Sequence, residues 1–242
     1  MNAGLTDIWV YLSASPLLGL TATLIAYQAA YAIYARTRFN PLANPVAIAV
    51  ALLVAVLTLT DTPYAVYFDG AQFVHFLLGP ATVALAIPLY QQVDKLKRNW
   101  FAFIAATVLG SAAAITTAML IAWGFGASRA TVLSLAPKSV TTPIAMGIAE
   151  KIGGLPSLTA VLVILTGILG AVLARGVLNL MKVTDHATRG FALGVTSHGI
   201  GTARAFQVSE EMGAFSGLAM GLSGVMTALL LPLAIRMLSS VA

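Results

Sequence analysis

The sequence contains no cysteine, which excludes disulfide bonds and thiolate metal sites. Charged residues are scarce too, at 9% of the chain, whereas a soluble domain carries about 25%. Hydrophobic residues make up 59% of the 242 positions, and the mean hydropathy is +0.92. This composition excludes an ordinary soluble domain and predicts a single transmembrane domain over residues 1–242, crossing the bilayer several times.

Acidic side chains are missing from the middle of the apolar segments, since all eight fall in loops or at the segment ends. A cation transporter normally keeps carboxylates inside the membrane, so we expect an anionic ligand. The net charge of +5 is typical of basic cytoplasmic loops and does not indicate nucleic acid. The three histidines, His75, His186 and His198, are far apart in sequence and lack acids at ligand spacing, which predicts no metal site. With no catalytic triad and no phosphate loop, we expect neither an enzyme nor a cofactor.

Apolar segments alternate with short charged loops, which predicts an all-α polytopic bundle of about seven or eight hydrophobic segments. Helix-breaking residues interrupt the segments at about 72–92, 132–150 and 190–208. Gly79, Pro80 and Pro143 mark structural breaks, since a proline removes one helical hydrogen bond and clashes with the preceding turn. We expect discontinuous or re-entrant helices here, the alternative being simple kinks satisfied by neighbouring helices.

Charge predicts which side of the membrane each loop faces. Basic loops, expected in the cytoplasm, hold Arg36, Arg38, Lys95, Lys97, Arg98, Lys182, Arg189 and Arg236, and acidic loops, expected outside, hold Asp61, Asp69, Glu210 and Glu211. Keeping Lys182 inside requires the segment with Pro137 and Pro143 to enter and return.

The order of segments also predicts an inverted repeat. Residues 72–90 followed by 100–123 resemble 190–208 followed by 214–235: each pair is a broken segment, a charged loop and an uninterrupted span. With the sidedness above, the two pairs run in opposite directions. Transporters with this pattern bind their substrates at the broken segments, near the middle of the bilayer.

Two breaks carry cations beside hydroxyl groups. Lys138 precedes Thr141 and Thr142 at helical spacing, and a cation near hydroxyls and a helix start favours a carboxylate. Alternatively, Lys138 extends to water at the edge of a span. His198 and Thr202 share one helix face, and Arg204 can hold a carboxylate with two parallel bonds. The alternatives are a structural hydrogen bond for His198 and an ion pair with Glu210 or Glu150 for Arg204.

The predicted substrate-binding residues are therefore Pro137, Lys138, Ser139, Thr141, Thr142, Ser197, His198, Gly199, Gly201, Thr202 and Arg204. The glycines are included because they let backbone amides approach a ligand.

These residues carry a resemblance. The runs LAPKSVTTPIAM (135–146), RGFALGVTSHGIGTAR (189–204) and EMGAFSG (211–217) are similar to the LrgB/CidB family. The resemblance implies transport of small monocarboxylates such as glycolate, glycerate, lactate or pyruvate. Together with the anion argument, it predicts alternating access, coupled to protons or another ion, in the bacterial inner membrane, by a protein that also forms homo-oligomers. The alternative it implies is an antiholin-like modulator of murein hydrolase export and cell lysis, acting with a small LrgA/CidA-type membrane partner.

Overall fold

The computed structural model describes residues 16–239, except 38, 41–42, 78–79, 81–82, 85–86 and 88–89. Within these residues the chain forms nine α-helices, which confirms the all-α prediction. They are α1 (Pro16–Arg36), α2 (Pro45–Leu59), α3 (Tyr64–Phe76), α4 (Val93–Gly124), α5 (Arg129–Leu135), α6 (Thr142–Ile152), α7 (Pro156–Leu180), α8 (His186–Phe206) and α9 (Glu210–Ser239).

Four helices are long and apolar enough to cross a membrane, over Leu17–Arg36, Val93–Gly124, Pro156–Leu180 and Glu210–Met237. The chain is therefore a multi-pass membrane protein. The predicted count of seven or eight hydrophobic segments is not confirmed. The chain divides into two compact units, Met1–Ala84 and Leu85–Ala242.

The first unit contains α1, α2 and α3. Helix α2 begins at Pro45, and the Asn44 side chain accepts hydrogen bonds from the Val46 and Ala47 amides at 2.9 and 3.2 Å. Such a cap satisfies amide groups that a helix start leaves without partners. In α3, Tyr67 Oη lies 2.8 Å from Thr23 Oγ1 of α1.

In the second unit, α4 and α9 lie side by side and run in the same direction. The rings of Phe103 and Phe215 are 5.3 Å apart, and further along both helices the hydroxyl oxygens of Ser111 and Ser223 are 3.2 Å apart. The expectation that residues 100–123 and 214–235 run in opposite directions is therefore wrong. The prediction failed because it placed the basic start of α4 and the acidic start of α9 on opposite sides of the membrane, whereas both lie at the same end of the unit.

The segment from α5 to α6 folds back on itself, and we call residues 129–152 the first hairpin. The turn after α5 packs Ala136 and Val140 against Ala145 and Ile148 of α6. After α6 the chain returns to the end of α5, where the Leu155 amide donates to Ser134 Oγ at 2.8 Å. This agrees with the prediction that the segment holding Pro137 and Pro143 enters and returns.

Helix α8 also reverses, at His198, where the backbone leaves the helical conformation (φ 42°, ψ −132°). Its two halves lie against each other, since Leu193 and Ala205 share one apolar cluster with Met212 of α9. We call residues 186–206 the second hairpin. The chain just beyond it returns to its start, since Ser209 Oγ lies 2.8 Å from His186 Nδ1.

The reversal of α8 places the start of α9 beside the starts of α4 and α8. The Lys95 ammonium lies 2.7 Å from a Glu211 carboxylate oxygen and 3.3 Å from Asp185. The expectation that Glu210 and Glu211 lie on the opposite side from Lys95 is therefore wrong, because the preceding segment does not cross. By the same argument Arg236 lies at the far end of α9, not at the end predicted from its charge.

Helix α7 runs antiparallel to the first half of α8. Near one end of the contact, Arg189 donates to Asn179 Oδ1 at 2.9 Å, and near the other, His198 Nε2 lies 3.0 Å from the Val163 carbonyl oxygen. The chain therefore reaches α7 from the end opposite to the one at which α8 begins. The two hairpins enter the unit from its two opposite ends.

Candidate functional site

The break in the first hairpin comes from its prolines. After α5, the chain turns through short-range backbone bonds from Lys138 N–H to the Leu135 carbonyl and from Val140 N–H to the Pro137 carbonyl. Thr141 is extended, and Pro143 stands in the first turn of α6, where its missing N–H costs nothing. Pro137 is fully buried. The prolines thus fix where the helix stops and where the return helix begins.

Lys138 lies at the tip of this hairpin and is half-buried. Its ammonium donates to Ser139 Oγ at 3.3 Å. In the part of the chain that the structure describes, the ion pairs all involve Lys95, so no acidic side chain there neutralises Lys138. Thr141 and Thr142, both half-buried, stand at the start of α6, where the helix adds partial positive charge. These groups together favour an anion.

The break in the second hairpin is held by His198, whose side chain is 4% exposed. Because the Val163 carbonyl can only accept, Nε2 of His198 carries the proton in their 3.0 Å hydrogen bond. A positive φ in a residue other than glycine costs about 1–3 kcal/mol and persists where the surroundings impose it. The structural hydrogen bond that the sequence left open as an alternative for His198 is present.

The other polar residues of this break bond to the protein itself. Thr202 donates to the His198 carbonyl at 2.8 Å, and its hydroxyl lies 3.0 Å from Ser216 Oγ of α9. Ser197 is fully buried, with its hydroxyl 3.2 Å from Thr196 Oγ1. At Gly201 a methyl group would meet the Ser197 Cβ at 2.6 Å. Gly201 is therefore needed for close packing of the two halves. Gly199, half-buried, follows the break directly.

The two hairpin tips meet at Val163 of α7. Its buried side chain packs with Ala136, Val140 and Ala145 of the first hairpin, while its carbonyl accepts the hydrogen bond from His198 of the second. One short stretch of α7 thus joins two chain reversals that enter from opposite ends of the unit.

Arg204 lies near the end of the second hairpin, six residues beyond the break. Its guanidinium donates to Gln207 Oε1 at 2.9 Å and lines a cavity of about 380 Å³, together with Arg175 and Arg189. Lys138 does not line this cavity. The sequence reasoning missed Arg175, although a lone charge in the otherwise apolar α7 was a signal for it.

Two further predictions concern the segment before α4 and the absence of metal. Gly79 lies outside the described residues, and Pro80 is exposed, with helical backbone. No group of three or more histidine, aspartate or glutamate side chains that could hold a metal ion occurs in the described ranges.

Comparisons with known proteins agree on one family. The model of the LrgB-like family matches residues 23–237. The uncharacterized protein YwbG of Bacillus subtilis is 37% identical over 211 residues, covering 87% of this chain and 93% of its own. Antiholin-like protein LrgB is 33% identical in Bacillus subtilis and 32% in Bacillus mycoides, covering 93% and 90% of this chain and 97% and 95% of the relatives. No solved structure matches.

Proposed function

The chain belongs to the LrgB-like family, and we propose that it transports small monocarboxylates of the glycolate, glycerate, lactate or pyruvate type across the bacterial inner membrane by alternating access. The observation that carries this proposal is Lys138, a half-buried cation with no acidic partner in the described residues. A carboxylate supplies the missing charge, and a 2-hydroxy acid adds a hydroxyl for Ser139, Thr141 or Thr142.

The two hairpins support alternating access. Each combines a chain reversal with a following apolar helix, α7 after the first hairpin and α9 after the second. The two hairpin–helix pairs, 129–180 and 186–239, run in opposite directions, and inverted-repeat transporters have this arrangement. Because both tips contact Val163, displacing either hairpin would open the region around it from one end only.

Coupling to protons belongs to the same proposal and involves His198. Its Nε2 is held by the Val163 carbonyl at 3.0 Å, so a proton taken up during transport would bind at Nδ1. Protonation would place a positive charge at the tip of the second hairpin, which contacts Val163 as the first hairpin does.

The second candidate function is that of an antiholin-like modulator of murein hydrolase export and cell lysis, acting with an LrgA/CidA-type partner. The names of the relatives favour it directly, since two of them are called antiholin-like protein LrgB. In this function the protein would form or restrain a pore as a homo-oligomer.

Uptake of labelled glycolate into proteoliposomes separates the two functions. The purified chain should take up glycolate, and Lys138→Gln should lower the rate at least tenfold, because the carboxylate loses its cation. Lys151→Gln is the matched control, since Lys151 is an exposed lysine in the last turn of α6, in the same hairpin. Its rate should stay within about twofold.

An entrapped dye larger than these acids is measured in the same vesicles. Retention of the dye during glycolate uptake supports a transporter with a binding site. Dye leakage, or full glycolate uptake by Lys138→Gln, would contradict the transport proposal and favour the pore.

A further inference from the structure

The cavity around Arg204 lies where α7 ends and α8 begins. Three arginines from different segments line it: Arg175 from α7, Arg189 from the first half of α8 and Arg204 from its second half. His186 and Asn179 lie beside them. The reversal of α8 is what gathers these side chains, because it returns Arg204 to the end at which Arg189 stands.

Amide oxygens accept hydrogen bonds from two of the three arginines. Arg189 donates to Asn179 Oδ1 at 2.9 Å, and Arg204 donates to Gln207 Oε1 at 2.9 Å. An amide oxygen orients a guanidinium group without cancelling its charge. Of the described residues that line the cavity, none is acidic.

Two acidic side chains near this end, Asp185 and Glu211, do not line the cavity. Asp185 and Glu211 both form ion pairs with Lys95, at 3.3 and 2.7 Å. Asp185 also accepts hydrogen bonds from the Thr188 amide and hydroxyl, both at 2.7 Å. Two carboxylates share the one Lys95 ammonium, so the cluster keeps a net negative charge, which is smaller than the three positive charges that line the cavity.

Charge and size together indicate the ligand. One guanidinium group is enough to hold a monocarboxylate with two parallel bonds, whereas three suit a group with more than one negative charge and several acceptor oxygens. A phosphate group has both properties. A cavity of about 380 Å³ also exceeds what a two- or three-carbon acid fills.

We propose that this cavity is a second anion site, separate from the break at Lys138, and that it binds a phosphate group. The group belongs either to a soluble phosphate monoester or to the headgroup of an anionic phospholipid, since the cavity lies at an end of the bundle. This goes beyond the proposed transport of monocarboxylates and gives Arg204 a different ligand from the one its sequence context predicts.

Binding of glycerol 3-phosphate to the detergent-purified chain tests the soluble source, with glycolate as the competing monocarboxylate at equal ionic strength. Glycerol 3-phosphate should bind at least tenfold more tightly than glycolate at this site. Arg175→Gln and Arg189→Gln should each weaken it about tenfold. Arg175→Gln is the safer variant, because its side chain is exposed and no hydrogen bond of it to another described residue is observed.

Lys97→Gln is the matched control, since Lys97 is an exposed cation at the start of α4 that does not line the cavity. Its affinity for glycerol 3-phosphate should stay within about twofold of the unchanged chain.

Vesicles of phosphatidylcholine with and without phosphatidylglycerol test the lipid source. If the headgroup is the ligand, phosphatidylglycerol should raise the unfolding temperature of the unchanged chain and of Lys97→Gln, but not of Arg175→Gln. Either probe responding in this way supports the site and identifies the source. Equal responses of the unchanged chain and Arg175→Gln to both probes would overturn the proposal, as would equal affinity for glycolate and glycerol 3-phosphate together with no response to phosphatidylglycerol.

Discussion

The two hairpins reverse the chain by different means, and the difference separates ligand binding from packing. The first hairpin is broken by prolines and leaves a half-buried lysine without an acidic partner in the described residues. The second is broken by a histidine with positive φ, whose neighbours bond to one another and to α9. We infer that the first break is kept for a ligand, and that the second serves mainly to hold two half-helices together.

The largest effect should come from close packing in the second hairpin. A methyl group at Gly194 would overlap the backbone carbonyl oxygen of Ser216, whereas one at Gly147, in the first hairpin, would meet nothing within 4 Å. Gly194→Ala should therefore lower the free energy of unfolding by about 3 kcal/mol, and Gly147→Ala should raise it by up to about 1 kcal/mol. Thermal unfolding in detergent measures both. Equal effects would remove the contrast between the hairpins.

The backbone of His198 should give the next largest effect. His198→Val loses the hydrogen bond to the Val163 carbonyl and places a β-branched residue at positive φ, so we expect a loss of about 2–3 kcal/mol. His198→Gly should lose only about 1 kcal/mol, because glycine adopts φ 42° with ψ −132° without strain, although it also loses the hydrogen bond. The same unfolding measurement compares them. Equal losses would mean that the strained backbone does not matter.

A smaller effect should separate stability from ligand binding. Thr202→Val removes the hydroxyl that joins the His198 carbonyl to Ser216, and should cost about 1–2 kcal/mol in unfolding free energy. Lys138→Gln should change it by less than about 0.5 kcal/mol, because Lys138 has only one hydrogen bond, at 3.3 Å. A stability loss at Lys138 as large as that at Thr202 would mean that the lysine is structural.

The smallest effect concerns pH at the start of the second hairpin. Hydrogen bonds from the Thr188 hydroxyl and amide, and then the Lys95 ammonium, hold the pKa of Asp185 below its ordinary value. A carboxyl group whose pKa is lowered in the folded state stabilises the protein at pH values above the ordinary aspartate pKa. This stabilisation is lost as pH falls through the folded-state pKa.

Asp185→Asn keeps a capping side chain but loses the charge. It should cost at most about 1 kcal/mol at neutral pH, because the carboxylate is half exposed. Thermal unfolding of both chains from neutral pH to about pH 3 should show this difference shrinking. A difference that stays constant with pH would contradict the assignment.

Much of the fold could be predicted from local signals. The start of α2 at Pro45 and the break between α5 and α6 follow from where proline and capping residues stand. The course of α8 could not be predicted this way. The residue types in 186–206 do not indicate whether this segment crosses the membrane or turns back within it. The contacts that fix its course come from α7 and α9.

The candidate sites also differ in how far the sequence alone could predict them. Lys138 could be found from the sequence, since a lysine between two prolines in an apolar segment is informative by itself. The cavity with Arg175, Arg189 and Arg204 could not, because these residues are separated in sequence and meet only after α8 reverses.

The sequence by itself determined that this is an all-α membrane protein, which segments are interrupted and that its acidic residues fall in loops or at segment ends. Those properties depend on composition and on the local chemistry of proline, glycine and capping side chains. Only the tertiary structure decided the direction of α9, the side on which Glu211 lies and the grouping of the three arginines. These depend on whether one segment crosses or turns back, which long-range packing sets.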